Sequence, residues 1–328
     1  MTTRHLVDPE LVALLDQVSD YVVTTETLGQ IRALSSQAPA NVGTFAALSV
    51  SERFIPGAFG APDVRVLVYL PTSVQEALPA LLWMHGGGYI LGSADAEDLM
   101  AKSIVSAIGC AAVSVDYRLA PETTHPGPVE DCYAALKWLS TSADELGIDP
   151  QRIAVGGSSS GGGLAAALAL LTRDRGEFSL VLQLLLAPMI DDRTCTLANP
   201  HPYTGEFIWT PEANRFGWIS LLGQEPGGPD VSPHTAAARA EHLEGLPATF
   251  LNVGALDLFL EEDLEYARRL MRAGVPTELH IYPGAYHGFR MVADAQVTQA
   301  ATRDQLAALK RAFDPSRRSD KHLWASHS

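Results

Sequence analysis

The sequence predicts an α/β fold with a mostly parallel sheet. Apolar, strand-like runs alternate with amphipathic helical stretches along most of the chain, as at residues 80–84, 110–115 and 248–253. Glycine-rich and polar motifs follow several of these runs directly. Sheets of this class place their sites at the carboxyl ends of the strands. We therefore expect about eight strands flanked by helices, with a functional site at one end of the sheet.

The elements follow from local patterns. A helical stretch begins after Asp8, the expected N-cap, and continues less clearly to about residue 38. Gly147 and Gly274 are expected to end helices. Apolar residues at helical spacing predict helices at 96–108, 130–146, 164–171, 260–273 and 294–313. Short apolar or alternating runs predict strands within 45–70 and at 80–84, 110–115, 153–155, 179–186, 248–253 and 277–282.

Composition excludes several classes of function. The chain has 328 residues and a net charge of −15, which disfavours binding to nucleic acid or to an anionic membrane surface. The first residues lack an apolar secretory core, and no apolar run is long enough for membrane insertion. We therefore expect a cytoplasmic protein. Cys110, Cys132 and Cys195 are too few and too scattered for a disulfide framework or a metal site, and we expect them to be small core residues.

The turn between the strand at 153–155 and the following helix carries Gly-Ser-Ser-Ser-Gly at 157–161, a match to G-x-S-x-G. Gly157 and Gly161 let strand and helix approach closely around a strained turn at Ser159. The helix N-terminus favours negative charge at the same place, which suits acyl transfer. A plain loop and a phosphate-binding turn are the alternatives. The phosphate alternative is weakened because no Lys-Ser/Thr follows the glycines.

Two further strand ends complete a catalytic set. Asp257 follows the strand at 248–253, and His287 lies in the loop after the strand at 277–282. The chain order Ser159, Asp257, His287 is that of a nucleophile, acid and base. His287 would take the serine proton, and Asp257 would hold the imidazole in one tautomer. Other His and Glu residues are less suitably placed: His234, His280, Glu261 and Glu262.

A second glycine-rich motif supplies hydrogen-bond donors. His-Gly-Gly-Gly-Tyr at 85–89 follows a buried strand, and adjacent glycines indicate a close backbone approach. The N–H groups after His85, at Gly87 and Gly88, and the N–H of Ser160 are candidates for an oxyanion hole.

With these motifs in place, the chain resembles the hormone-sensitive-lipase-like branch of the α/β-hydrolases, bacterial carboxylesterases with a His-Gly-Gly-Gly motif. The resemblance covers roughly residues 64–289. It rests on the motifs at 85–89, 115–122, 130–131, 157–161, 257 and 287–289.

The resemblance implies an α/β-hydrolase fold with a mainly helical cap and hydrolysis of short- to medium-chain acyl esters of small molecules without a cofactor. It favours Gly87, Gly88 and Ser160 as oxyanion donors, and gives His85 and residues 116–122 a bracing role. Gly86, Gly157 and Gly161 would support the site. The expected division is cap helices at 1–45, a catalytic domain at 46–190 and 237–315, a cap insertion at 191–236 and a tail at 316–328.

The chain departs from the usual family pattern at the elbow. Where this chain has Ser158, Ser160 and Gly163, members of the family usually have Asp or Thr, Ala, and Asn, respectively. The change at Ser158 removes a potential hydrogen-bond acceptor beside the nucleophile.

Several alternatives stay open. An amidase or a lactonase would use the same triad, and a non-catalytic receptor could share the fold. Four aromatic residues either line the substrate pocket or pack the cap onto the core: Tyr89, Tyr203, Phe207 and Trp209. A homodimer through a sheet edge or the last helix is a further option.

Overall fold

The structure is a computed structural model that describes residues 2–17, 22–35, 45, 47–73 and 76–316. The end of the first predicted helical stretch, from residue 36, and the tail beyond 316 lie outside these residues. The strands are β1 Leu48–Ile55, β2 Val64–Pro71, β3 Leu78–Met84, β4 Ala111–Asp116, β5 Ile148–Ser158, β6 Leu182–Leu186, β7 Ala248–Gly254 and β8 Thr277–Tyr282. The helices are α1 Val12–Leu15, α2 Leu28–Ser35, α3 Asp98–Ile108, α4 Gly127–Thr141, α5 Ala143–Leu146, α6 Ser160–Arg175, α7 Pro211–Leu222, α8 Leu260–Arg272 and α9 Gln296–Phe313.

The strands of the described residues form one eight-stranded sheet in the order β1-β2-β4-β3-β5-β6-β7-β8. β2 is antiparallel to both of its neighbours, and every pair from β4 to β8 is parallel. β6 is buried along its whole length, which explains why it is apolar except at Gln183, whose side-chain NH₂ donates to the Thr249 hydroxyl (2.8 Å). The predicted mostly parallel sheet of about eight strands is confirmed.

Helices cover both faces of the sheet, and β3 shows how the sequence sorts its side chains between them. Leu81 and Trp83 belong to a cluster with residues of α3 and α9. Leu82 and Met84 belong to the larger cluster with residues of α4 and α6. Successive side chains of a strand point to opposite faces, so a run that is apolar at every position requires two covered faces.

Several predicted boundaries move. β5 begins at Ile148, whereas the prediction placed its start at 153. The first half of the strand is polar and therefore gives little strand signal in the sequence. The helix predicted at 130–146 is divided into α4 and α5, and α4 begins at Gly127 with Pro128 in its first turn. Gly147 ends α5 at φ 65° as expected. α6 starts immediately after Ser159, so Gly161 lies inside the helix, whereas Gly157 belongs to β5.

The N-terminal segment lies beside the loop after β8. The Asp8 carboxylate accepts a hydrogen bond from the N–H of Glu10 (2.9 Å), which confirms the predicted cap. The first helical stretch is shorter than predicted: a 3₁₀ turn at Pro9–Leu11 precedes the four-residue α1. The N–H of Asp8 donates to the carbonyl oxygen of Gly284, and the Tyr286 hydroxyl donates to the carbonyl oxygen of Leu11. These bonds attach the segment to the loop that carries His287.

The stretch 191–236 contains α7 and packs over one end of the sheet. The Arg239 guanidinium, just beyond this stretch, pairs with the buried Asp192 carboxylate at its start (2.6 Å). The N–H of His125 donates to the carbonyl oxygen of Leu221 in α7 (2.8 Å). This end of the sheet also holds the motifs singled out above.

Two other expectations concern side-chain burial and membranes. Cys110 and Cys132 are fully buried among apolar residues, as predicted, and Cys195 is half-buried. Among the described residues, no helix is long and apolar enough to cross a membrane.

Asp263 gives the fold a predicted pH dependence. Its carboxylate is fully buried in α8, and neither oxygen has a hydrogen-bond partner among the described residues. Burial, together with the charges of Glu262 and Asp257, raises the pKa of Asp263 well above its usual range. As pH rises above about 4, the unfolded chain loses this proton while the folded chain keeps it, so stability falls.

We therefore expect the difference in free energy of unfolding between Asp263→Asn and the wild type to shift in favour of the variant as pH rises from 5 to 8. The shift is at most about 1.4 kcal/mol per pH unit. Urea unfolding at both pH values measures the difference. A pH-independent difference between the two proteins would contradict this assignment.

Candidate active site

Ser159 occupies a strained turn between β5 and α6. Its backbone lies at φ 54° and ψ −121°, a conformation that is costly for a residue with a side chain. Its N–H donates to the carbonyl oxygen of Leu186 (2.8 Å), and its own carbonyl oxygen accepts from the N–H of Met189 (2.9 Å). The end of β6 and the chain beyond it therefore hold the turn in place.

The glycines around Ser159 are required by close backbone contacts. A Cβ atom at Gly161 would lie 2.1 Å from the carbonyl oxygen of Met84, and one at Gly157 would lie 2.6 Å from the same oxygen. Neither position can accept a side chain without moving the end of β3. The predicted close approach at the elbow is therefore the contact between the β5–α6 turn and the strand that leads into the glycine loop.

The three residues predicted as nucleophile, acid and base lie in hydrogen-bond contact. His287 Nε2 is 3.0 Å from Ser159 Oγ, and His287 Nδ1 is 2.8 Å from Asp257 Oδ2. The second carboxylate oxygen of Asp257 accepts from the N–H of Phe259 (3.0 Å), and the carboxylate is almost fully buried. An ionised Asp257 can only accept, so it selects the tautomer with a proton on Nδ1 and leaves Nε2 free to accept from Ser159.

The rival histidines and glutamates have other partners or positions. His234 pairs with Asp174 (2.8 Å), and His280 pairs with Glu278 (2.8 Å). The buried Glu262 accepts from the N–H groups of residues 190 and 191. His234, His280 and Glu262 are therefore engaged with other groups, and Glu261 is exposed on α8.

The glycine loop after β3 presents free donors. Gly87, Gly88 and Tyr89 all have positive φ values, of 125°, 61° and 66°. Among the described residues, no acceptor takes a hydrogen bond from the N–H of Gly87, Gly88 or Ser160. Ser160 is the first residue of α6, so its N–H lies at the positive end of the helix dipole.

His85 braces this loop from beneath. Its ring stacks on Tyr117 with centroids 4.2 Å apart, and Nδ1 lies 2.8 Å from the carbonyl oxygen of Gly86. The Tyr117 hydroxyl donates to the carbonyl oxygen of His85 (2.8 Å). Burial lowers the pKa of His85, which keeps the imidazole neutral. Asp116, next in the same motif, accepts from the N–H of Ala94 (2.9 Å) at the far side of the loop.

The four aromatic candidates have different environments. Trp209 is 7% exposed, and its ring lies against Gly88, where a Cβ atom would be only 2.1 Å from the indole. Tyr89 is fully buried against Trp218. Phe207 packs on Tyr286, whereas Tyr203 is 52% exposed. Trp209 alone of the four adjoins both the glycine loop and His287, whose ring centroid is 6.4 Å away.

Gly163, where the family usually has Asn, lies against the side chain of Tyr89. A Cβ atom at Gly163 would lie 2.2 Å from the Tyr89 hydroxyl oxygen and 2.1 Å from the carbonyl oxygen of Met189. The Tyr89 hydroxyl donates to this Met189 oxygen (2.7 Å). The tyrosine hydroxyl therefore fills the space that a side chain at 163 would take, and links the glycine loop to the segment after β6.

We expect Tyr89→Phe to lower the free energy of unfolding by about 1–3 kcal/mol, because the Met189 carbonyl would be left buried without its donor. Tyr266→Phe is the matched control, since the buried Tyr266 hydroxyl has no acceptor among the described residues. Urea unfolding of both variants measures the contrast. Equal losses in the two variants would contradict the assigned bond.

Glu97 also contacts the site, although no sequence motif pointed to it. Its Oε1 accepts from the Ser158 hydroxyl and from the N–H of Gly86, both at 2.9 Å, and Oε2 accepts from Trp83 Nε1 (2.5 Å). The sequence offered only an indirect signal. Position 158 has a serine where the family often has a carboxylate, so a carboxylate partner would have to come from elsewhere in the chain. Nothing in the local pattern around Glu97 identifies it.

Known proteins resemble this chain along most of its length. A family model described as alpha/beta hydrolase fold matches residues 81–291. Carboxylesterase NlhH of Mycobacterium tuberculosis is 37% identical over 94% of this chain and 97% of its own length. Esterase LipI of the same species is 32% identical over 91% of this chain and 92% of its own.

A solved structure titled Bacterial Heroin Esterase superposes with a TM-score of 0.88 at 40% identity, and covers 95% of this chain and all of the other. Residues 81–291, which the family model matches, contain both glycine-rich motifs and the three residues Ser159, Asp257 and His287. The chain belongs to the α/β-hydrolase fold family, in its hormone-sensitive-lipase-like branch.

Proposed function

We propose that this protein is a serine carboxylesterase that hydrolyses short- to medium-chain acyl esters of small molecules. The observation that carries the proposal is the position of His287, which is within hydrogen-bond distance of both Ser159 Oγ and the buried Asp257 carboxylate. A serine with a positioned general base is the arrangement that acyl transfer requires. The resemblance to proteins named carboxylesterase and esterase supports the same reaction.

The proposed reaction has two halves. Ser159 Oγ attacks the ester carbonyl carbon while His287 Nε2 accepts its proton, and collapse of the tetrahedral intermediate expels the alcohol, which takes the proton from His287. Water then attacks the acyl-enzyme by the same sequence and releases the carboxylic acid. Asp257 stays ionised throughout and stabilises the imidazolium that forms twice per cycle.

The negative oxygen of both tetrahedral intermediates needs donors that are already oriented. The N–H groups of Gly87, Gly88 and Ser160 are proposed for this role, because they have no other acceptor among the described residues. Ser160 directly follows Ser159, and the glycine loop contacts the elbow between Gly86 and Ser158. Donors fixed in advance stabilise the transition state without reorganisation. Their backbone origin explains why the loop needs glycine at positions of positive φ.

Trp209 is proposed as a wall of the substrate pocket. Its indole lies on Gly88 and near His287, and its Nε1 donates to the Asn214 side-chain oxygen (3.2 Å). The preceding residue, Ile208, is held at φ 64°, a costly conformation for a β-branched side chain. A rigid aromatic wall this close to the reacting groups favours short acyl chains over long ones.

The test is hydrolysis of p-nitrophenyl esters from acetate to palmitate, with p-nitroanilides and lactones as parallel substrates. We expect turnover to peak at short or medium acyl chains, with an initial burst of about one p-nitrophenolate per chain when deacylation is the slower step. Turnover of anilides or lactones alone would replace the ester assignment with an amidase or a lactonase. No turnover of any class would move the proposal to a ligand-binding role.

A homodimer and a cytoplasmic location are further proposals. β8 lies at an edge of the sheet, and Ile281 in this strand is 42% exposed, which supports pairing through that edge. Sedimentation velocity of the purified protein measures the oligomeric state. The net charge of −15 supports a location away from anionic membrane surfaces.

A further inference from the structure

Glu97 connects the two motifs of the proposed site. It ends a 3₁₀ turn, Asp95–Glu97, between the glycine loop and α3, and its side chain is half-buried. One oxygen accepts both from the N–H of Gly86, which begins the run of loop glycines, and from the hydroxyl of Ser158, which precedes the nucleophile. A single carboxylate oxygen thus joins the oxyanion loop to the elbow.

The second oxygen fixes the carboxylate to the sheet. Trp83 Nε1 donates to Oε2 at 2.5 Å, and Trp83 is almost fully buried in β3. Three donors therefore hold the carboxylate, and two of them come from the strand and loop that supply the oxyanion donors. Hydrogen bonds to a charged acceptor are about twice as strong as neutral ones, so this contact is well suited to fixing a loop.

The glycine loop and the elbow are in direct contact between Gly86 and Ser158. A Cβ atom at Gly86 would lie 3.0 Å from Ser158 Oγ and 3.5 Å from Glu97 Oε1, so loop, elbow and carboxylate are in contact. Gly87 follows directly on one side, and Ser159 on the other. A displacement of Gly86 relative to Ser158 would change the distance between the oxyanion donors and the attacking oxygen.

A half-buried cation, Arg290, lies near Met100 of α3. Arg290 follows His287 by three residues, and its guanidinium donates to the Gln305 side-chain oxygen (2.5 Å) and contacts the Met100 sulfur. Among the described residues it has no ion-pair partner within 4.0 Å. Burial lowers the pKa of Arg290 to about 10, while the charge of Glu97 acts in the opposite direction. Arg290 and Glu97 therefore interact at longer range.

We propose that Glu97 is a positioning residue that sets the geometry of the oxyanion loop relative to Ser159, and supplies from a distant segment the carboxylate that the elbow lacks at Ser158. The activity readouts rest on the proposed esterase function. The contact itself does not, so it can be tested separately.

The first experiment compares Glu97→Gln with Asp95→Asn. Asp95 lies in the same turn, but its carboxylate pairs with Arg65 (2.6 Å) on the other side, away from the glycine loop. A glutamine has a single acceptor oxygen, so it cannot accept both from Trp83 Nε1 and from the Gly86 and Ser158 donors, and one of these contacts must break. We expect Glu97→Gln to lower kcat about 10- to 100-fold with little change in KM, because misplaced oxyanion donors act on the transition state and not on substrate binding. Affinity for a trifluoromethyl ketone inhibitor should fall in parallel. Asp95→Asn should leave kcat within about threefold.

The second experiment tests the coupling to the elbow. Ser158→Asp alone would place two carboxylates in contact, and we expect kcat to fall by tenfold or more through repulsion. Combined with Glu97→Gln, the new carboxylate would face an amide, and we expect kcat to recover to within a few-fold of the wild type. Losses that simply multiply in the double variant would overturn the coupling, as would an unchanged kcat in Glu97→Gln.

Hydrogen exchange at the loop gives a readout that does not depend on turnover. The Gly86 amide should exchange faster in Glu97→Gln than in the wild type or in Asp95→Asn. Equal exchange in all three proteins would overturn the positioning role. If the wild type hydrolyses no ester, the proposed function fails, and the exchange result still decides whether Glu97 holds the loop.

Discussion

Ser159→Ala is expected to lower kcat for ester hydrolysis by about 10⁶-fold, the loss seen when a serine hydrolase loses its nucleophile. The physical reason is that no other hydroxyl lies in hydrogen-bond contact with His287 in the described structure. Residual activity over water would come only from the oxyanion donors and from substrate binding. Purified variant and wild type are compared on the best p-nitrophenyl ester at matched circular dichroism.

Two controls make this result specific. Ser103→Ala removes a hydroxyl that bonds only within α3, to the carbonyl oxygen of Leu99, and should leave kcat unchanged. The double variant Ser159→Ala with His287→Ala should be no slower than Ser159→Ala alone, because groups that act as a unit are not additive. Substantial activity in Ser159→Ala would show that another residue is the nucleophile.

The fold was largely predictable because its signals are local. The buried part of β3 at 80–84 is a continuous apolar run, as expected for a parallel strand covered on both faces, and Gly147 ends its helix in the left-handed conformation that the pattern required. Prediction failed where a polar sequence forms a strand, as at the start of β5, where pairing with β3 overrides local propensity. The short α1 is a similar case: the cap at Asp8 is correct, but apolar spacing alone did not set the helix length.

Those residues of the site that directly follow a strand could be predicted from the sequence. Ser159, Asp257 and His287 all lie beyond the carboxyl ends of parallel strands, which bring them together although they are far apart in the chain. Glu97 lies 61 residues from Ser158, and only the folded chain shows that they are bonded. The aromatic candidates were ambiguous for the same reason, since composition cannot show that Trp209 meets Gly88 while Tyr203 faces solvent.

Asp257→Asn is expected to lower kcat by about 10⁴-fold, although it changes the side chain by only one group. The N–H of Phe259 donates to Asp257 Oδ1, so the carbonyl oxygen of an asparagine would keep that bond. Its NH₂ group would then face His287 Nδ1 and donate to it. This donation would select the tautomer with a proton on Nε2, which cannot accept from Ser159.

The measurement is kcat between pH 6 and 9, with Asp263→Asn as the matched control. Asp263 is an equally buried carboxylate in the neighbouring helix, but it makes no hydrogen bond to His287, so its variant should retain kcat within a few-fold. A wrong tautomer also predicts that Asp257→Asn keeps its affinity for neutral substrates, because the loss lies in proton transfer and not in binding. A loss of less than tenfold in kcat would mean that another group orients His287. The groups left to orient the imidazole would then include the ring of Phe259, which meets it edge-on at 5.1 Å, and the ring of Trp209 at 6.4 Å.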